Sequence, residues 1–133
     1  VQASSLSTSV EEPHGLAAAV ENLSGRSALP VTVDIRLPRR LPLSVETTAY
    51  FVIAEALTNA AKHSEANRTE VHARLHTDIL ALSISDDGVG GATPEAGTGL
   101  IGLADRVAVA DGRLRISSPQ GGPTLLRVES PCR

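Results

Sequence analysis

Five short segments of this 133-residue chain alternate apolar with polar residues, and in each the apolar set occupies one face only. Val31, Val33, Ile35 and Leu37 are interleaved with Thr32, Asp34 and Arg36. Thr69, Val71, Ala73 and Leu75 alternate with Glu70, His72, Arg74 and His76, and Leu80, Leu82 and Ile84 with Ala81, Ser83 and Ser85. Leu114 and Ile116 repeat the pattern near the end, as do Leu126 and Val128 after a Gly121-Gly122-Pro123 turn. Successive side chains of a strand point to opposite faces, so each segment predicts a strand with one dry and one wet side. A doubly wound parallel sheet would bury both faces and read as continuous apolar runs. These strands predict instead an α+β fold: a two-layer α/β sandwich with an about five-stranded, mostly antiparallel sheet and helices on one face.

Three stretches supply the helices. Gly15 to about Leu23 places Leu16, Ala19, Val20 and Leu23 on one side, and Gly25 with Arg26 marks its end. Pro38 and Pro42 bracket a turn, after which the longest helical run extends to Ser64. Ser44 is the candidate cap of that helix; Thr47, not Glu, stands three residues later, so no capping box is expected. Leu100 to Ala110 is a short helix closed by Gly112. Residues 1–12, Ser-rich and aperiodic, read as a flexible leader, and 13–133 as one domain. A chain that starts at Val1 and has no Met reads as a piece of a longer one, whose targeting signals and membrane spans would lie elsewhere.

Composition excludes several functions. A net charge of -3 and only 2% aromatics leave neither a basic stripe nor stacking platforms for nucleic acid. No apolar run approaches the roughly 18 residues of a membrane span, so no direct membrane contact is expected. The single Cys132 can form no internal disulfide. His72 and His76 would pair on a metal only in a helix; on a strand they stand about 13 Å apart on the wet face. His14 reads as a surface residue. No nucleophile elbow, Walker loop or eukaryotic-type protein kinase signature is present.

Three groups of residues can carry chemistry. On the long helix Ala49, Val52, Ile53, Ala56, Leu57 and Ala60 centre on one side, while Glu55, Asn59 and Lys62 form a narrow stripe away from it, with Thr58 beside it and His63 at the border. Such a stripe is either a solvated face or, since mid-helix Asn is a poor helix former, a site where an amide oxygen takes Mg²⁺ and a carboxylate takes a proton. Asp86 shares parity with Leu80, Leu82 and Ile84, so it either ends the buried row and needs partners there or swings to solvent as the first loop residue. Asp87 has the opposite parity and should face water. Gly88, Val89, Gly90 and Gly91 follow, where a backbone can approach a ligand closely. Gly97-Thr98-Gly99-Leu100-Ile101-Gly102 matches G-x-G-x-x-G, but no strand precedes it and no acidic residue follows at the distance a dinucleotide site requires. It reads either as a phosphate-binding loop at a helix N-terminus or as an ordinary flexible loop.

Taken in order, Glu55-x-x-x-Asn59-x-x-Lys62-His63, Asp86-x-Gly88-x-Gly90 and Gly97-x-Gly99-Leu100-x-Gly102 resemble the N, G1 and G2 boxes of the GHKL superfamily. The wording EALTNAAKH, DDGVGG and GTGLIGLADRV is most similar to the ATP-binding catalytic domain of bacterial two-component sensor histidine kinases, in the subgroup paired with helix-turn-helix response regulators. The resemblance covers roughly residues 15–131 and implies the Bergerat-type ATP-binding fold.

It also implies roles. Asn59 would hold Mg²⁺ among the phosphates of ATP, Glu55 would be the polar or basic group near the γ-phosphate, and Lys62 a phosphate contact. His63 occupies the position that closes the N box. Asp86 would accept the adenine amino group, with Gly88 and Gly90 passing the purine. Gly97, Thr98, Gly99, Leu100 and Gly102 would form the lid hinge and phosphate amides, and Thr124 would stand near the adenine. The phosphoacceptor His of the family is not matched by His14 or His63. The implied partners are therefore a separate dimerisation and phosphoacceptor domain of a homodimeric parent, and through it a response regulator, on the cytoplasmic side. The alternatives are a serine kinase of the anti-sigma-factor type, told apart by its acceptor, and a degenerate module that binds nucleotide or partners without transfer.

Overall fold

The computed structural model describes residues 15–63, 65–90 and 100–132, with only the backbone of His63, Leu100 and Ile101. The expected leader, His14, and Gly97, Thr98 and Gly99 lie outside the described residues. In chain order the elements are α1 (Gly15–Gly25), β1 (Val31–Arg36), α2 (Leu43–His63), β2 (Thr69–His76), β3 (Ile79–Asp86), α3 (Leu100–Val109), β4 (Arg113–Ser117) and β5 (Thr124–Pro131). The strands form one mixed sheet in the order β1-β2-β3-β5-β4. Only β1 and β2, joined through α2, run parallel; the β2–β3, β3–β5 and β4–β5 pairs are antiparallel.

The alternation seen in the sequence is realised as burial. Val71 and Ala73 on β2, Leu80, Leu82 and Ile84 on β3, and Leu126 and Val128 on β5 are all buried, and the registers Val71↔Ile84, Ala73↔Leu82, Ile84↔Leu126 and Leu82↔Val128 set them side by side. α2 lies over them with Ala49, Val52, Ile53, Ala56 and Ala60 buried. Removing Leu- or Ile-sized contacts from such a layer costs about 2–5 kcal/mol per site through lost transfer energy and residual cavity. α1 closes one flank with Leu16, Ala19 and Val20, and α3 the other with Leu103 and Val107. Cys132 is also buried, and that burial pushes its thiol above the ordinary range.

The start of α2 differs from the expected Ser44 cap. The helix begins at Leu43, the Pro42 carbonyl accepts from the N–H groups of Val45 and Glu46 at 3.0 Å each, and Ser44 is exposed inside the first turn. The side chain that fixes this start is instead Glu46, 1% exposed, whose Oε2 accepts the N–H of Leu41, just before the helix, at 3.0 Å. The same carboxylate takes a two-pronged pair of bonds from Arg40, Nε at 3.1 Å and Nη2 at 2.8 Å. A buried carboxylate at a helix start is tolerated because dipole, backbone donor and guanidinium all oppose its charge. Gly15 opens α1 at φ +74°, and a Cβ there would stand 3.0 Å from the Arg40 Nε. Arg40 thus ties the starts of two helices together. Arg40→Ala, which strands Glu46, is expected to lower stability by about 3 kcal/mol, and Arg40→Met with Glu46→Leu to recover most of it. Urea unfolding of the two variants checks both.

Candidate functional site

The end of β3 carries the site. Asp86 follows Ile84 in the inward row and is half-buried. Its lateral neighbours in the sheet are Thr69 on β2 and Thr124 on β5, both buried at 2% and 6% exposure. A carboxylate at the rim of the dry layer is thus flanked by hydroxyl-bearing side chains in place of aliphatic ones. Asp86 Oδ1 accepts the Gly88 N–H at 2.8 Å, which turns the chain sharply out of the strand. Thr124 Oγ1 lies 2.6 Å from Ser118 Oγ, joining the ends of β4 and β5. Of the two readings open for Asp86, the inward one holds.

The loop after Asp86 is pressed against the β4–β5 turn. Gly90 stands at φ +72°, and a Cβ on it would overlap the Pro119 carbonyl and come 2.7 Å from the Gly122 nitrogen. A Cβ on Gly122, at φ +76°, would overlap the Gly88 carbonyl. Two backbones therefore lie in direct contact here, with glycine required on both sides. Gly122, read from sequence only as part of a turn, is the missed half of this arrangement. Gly90→Ala and Gly122→Ala are each expected to cost several kcal/mol, about what a forced backbone shift plus a strained φ demands, as measured by thermal unfolding.

Asp87 does not simply face water. It is exposed, but its Oδ1 accepts the N–H of Asn67 at 2.7 Å and of Arg68 at 3.1 Å, clamping the α2–β2 loop to the end of β3. These backbone bonds hold its carboxyl below the ordinary value. With the folded value depressed, the clamp contributes above the unfolded carboxylate range and is lost as pH falls through the folded value. Asp87→Asn is expected to flatten the acid limb of a stability–pH curve, leaving the share due to Asp34, which Arg74 first of all also depresses. Urea unfolding at stepped acid pH reads the difference.

On α2, Glu55 and Asn59 sit one turn apart and are half-buried, whereas Lys62 is exposed. The stripe is therefore not a plain solvated face. No hydrogen bond or ion pair within the described residues engages the side chains of Glu55, Asn59 or Lys62; neighbouring Thr58, exposed, bonds back to the Ala54 carbonyl at 2.9 Å. At the start of α3, a Cβ on Gly102 would meet no atom within 4 Å, so nothing in the described protein demands glycine there. The structure thus brings Asp86, Gly88, Gly90 and Thr124 together at one sheet end, and sets Glu55 and Asn59 on the helix over the same layer. Sequence reasoning missed Thr69 and Ser118; the parity of Thr69 with Val71 and its place opposite Asp86 were the available signals. Among the described residues no group of three or more His, Cys, Asp or Glu side chains is placed to hold a metal, and no helix is long and apolar enough to cross a membrane.

Comparison with known proteins places this arrangement. No family model matches the chain. It overlays the histidine kinase domain from the Erythrobacter litoralis EL346 blue-light activated histidine kinase with a TM-score of 0.63 at 19% identity, covering 87% of this chain and 57% of that one. The α+β sandwich is thus the fold of histidine kinase domains. In sequence it is 33% identical over 97 residues to the oxygen sensor histidine kinase NreB of Staphylococcus carnosus, covering 70% of this chain and 28% of NreB. It is also 33% identical over 115 residues to the nitrate/nitrite sensor protein NarX of Escherichia coli, covering 82% of this chain and 19% of NarX. The chain belongs with the sensor histidine kinases, as its three ordered motifs implied, and spans a minor part of the length of these relatives.

Proposed function

We propose that the chain binds Mg-ATP and supports transfer of the γ-phosphoryl group to a histidine on a separate dimerisation domain. The observation that carries this reading is Asp86: a half-buried carboxylate between Thr69 and Thr124, beside a loop that admits only backbone. A carboxylate accepts only, which suits the exocyclic amino group of adenine, and Thr124 with Ser118 adds hydroxyls that donate or accept beside it. Gly88 would let the purine edge lie against main chain, whereas the bare face of Gly90, expected from the resemblance to pass the purine too, is taken up by the Pro119 carbonyl and Gly122. Asn59 offers a hard amide oxygen suited to Mg²⁺, and Lys62 a mobile cation for phosphate oxygens. The open space at Gly102, together with the N–H groups at the start of α3, fits the phosphate end, where Gly97, Thr98, Gly99 and Leu100 would complete the cradle.

Bound Mg²⁺ would supply charge neutralisation between the phosphates. The work of this chain's residues is positioning and electrostatic stabilisation. Asp86 and Thr124 orient the base, Asn59 and Lys62 hold the phosphates, and Glu55 stands by the transfer end as an acceptor for the imidazole proton. As a phosphorus–nitrogen bond forms to the histidine, the bond to the bridging oxygen breaks and ADP leaves. The acceptor, a response regulator beyond it, a homodimeric parent and a cytoplasmic location belong to the same reading, which the sensor histidine kinase relatives support.

Calorimetric titration with ATP, with and without Mg²⁺, is the test. Binding is expected to vanish in Asp86→Asn and to lose its Mg²⁺ dependence in Asn59→Ala. Gly102→Ala should fold at least as stably, since Ala is about 1 kcal/mol the better helix former, yet bind ATP more weakly. Incubation with Mg-ATP should leave the chain itself without acid-labile phosphate and label a histidine-bearing dimerisation domain supplied in trans. Phosphoserine on that partner, or affinity unchanged in all three variants, would overturn the reading.

A further inference from the structure

The sheet face turned away from the helices carries a charge pattern that neither the fold nor nucleotide binding uses. One register row crosses it from Asp34 through His72, Ser83 and Arg127 to Arg115. On the β1–β2 side the charges are matched within the face. Asp34 takes Arg74 Nη2 at 2.9 Å and Arg36 Nε at 3.0 Å, and His72 lies 3.2 Å from Glu70 and 3.6 Å from Asp34.

On the β4–β5 side Glu129 stands opposite Arg113, and the other two arginines have no acid opposite them. Arg115 stands directly opposite Arg127, both are exposed, and within the described residues no hydrogen bond or ion pair engages Arg113, Arg115 or Arg127. Like charges placed opposite each other weaken an antiparallel pair. Between the two sides runs β3, whose outward residues Ala81, Ser83 and Ser85 form a low floor. His72 and Arg74 rise on one side of a groove over it, and Arg127 and Glu129 on the other. Its walls are two ladder spacings apart, about 10 Å between backbones, so a helix of about 10–12 Å would rest on their rims. Ile79, exposed, gives the groove one apolar end.

We propose that this groove docks an acidic α-helix of a partner protein, lying along β3 with its carboxylates on Arg115 and Arg127. Charge and shape favour this occupant over others. The face has no aromatic anchor for a lipid interface, since Tyr50 and Phe51, the chain's whole aromatic set, are on α2. Glu129, Glu70 and Asp34 interrupt the arginines, so no continuous basic stripe follows a nucleic-acid backbone. A second copy could offer Arg115 and Arg127 only Asp34 and Glu70, which Arg74, Arg36 and His72 already engage, and Glu129, which stands opposite Arg113.

The test is titration of the isotope-labelled chain with a helical peptide of about 20 residues carrying Glu at i and i+4. Its Lys counterpart, phosphatidylserine vesicles and duplex DNA are titrated in parallel. The Glu peptide should shift the amides of residues 81–85 and 125–129, less so at high salt. Arg115→Glu with Arg127→Glu should bind it at least about tenfold more weakly. Arg115→Glu alone, which turns a repulsive pair into an attractive one, should raise the unfolding temperature while weakening the peptide. Shifts caused by vesicles or DNA and not by the Glu peptide would overturn the proposal. So would equal binding by the charge-reversed chain, or an unfolding temperature in Arg115→Glu that does not rise.

Discussion

The sheet buries one face only, and the rest of the molecule follows from where that buried face ends. Its inward rows are aliphatic through Val71, Ile84 and Leu126, then change character one step later at Thr69, Asp86 and Thr124. Covered by α2, α1 and α3, the layer excludes water from its centre but not from this rim. A carboxylate placed there is half-buried and flanked by hydroxyl-bearing side chains. One position later the chain carries another aspartate, Asp87, which by opposite parity leaves the layer and clamps the α2–β2 loop instead.

Backbone contact fixes the floor of the site as firmly as side chains fix its wall. Gly90 and Gly122 let two loops from distant parts of the chain touch main chain to main chain, and Asp87 clamps a third, the α2–β2 connection, to the same strand end. At the far end of α2, Arg40 and Glu46 anchor the helix that carries Glu55 and Asn59. The helix is thus pinned at its start, with Glu55 and Asn59 half-buried further along it. On that helix the side chains of Glu55 and Asn59 make no hydrogen bond or ion pair within the described residues.

Much of this was legible beforehand. The one-sided alternation foretold the sheet and its dry face, and the parity of Asp86 offered the inward row as one of two placements. What escaped notice shares a cause. Thr69, Ser118 and Gly122 matter through partners 17, 6 and 32 residues away, namely Asp86, Thr124 and Gly90. Parity with Val71 turns Thr69 inward, but nothing local says what it will stand beside, because a threonine in a strand and a glycine in a turn are ordinary. The helix start was misplaced for the same reason: Ser44 has the better capping side chain, but Glu46 has Arg40 and the Leu41 amide to hold it in place.

By itself, then, the sequence determined which elements form, which face of each is buried and the order of the three motifs, since hydrophobic period and glycine placement are local properties of a chain. Tertiary structure alone decided the strand order β1-β2-β3-β5-β4. It also decided the company Asp86 keeps, the glycine-to-glycine contact beneath it and the facing arginines on the open sheet. Each of these is a meeting of residues far apart in the chain, and register, set by the packing of the whole buried layer, chooses which residues meet.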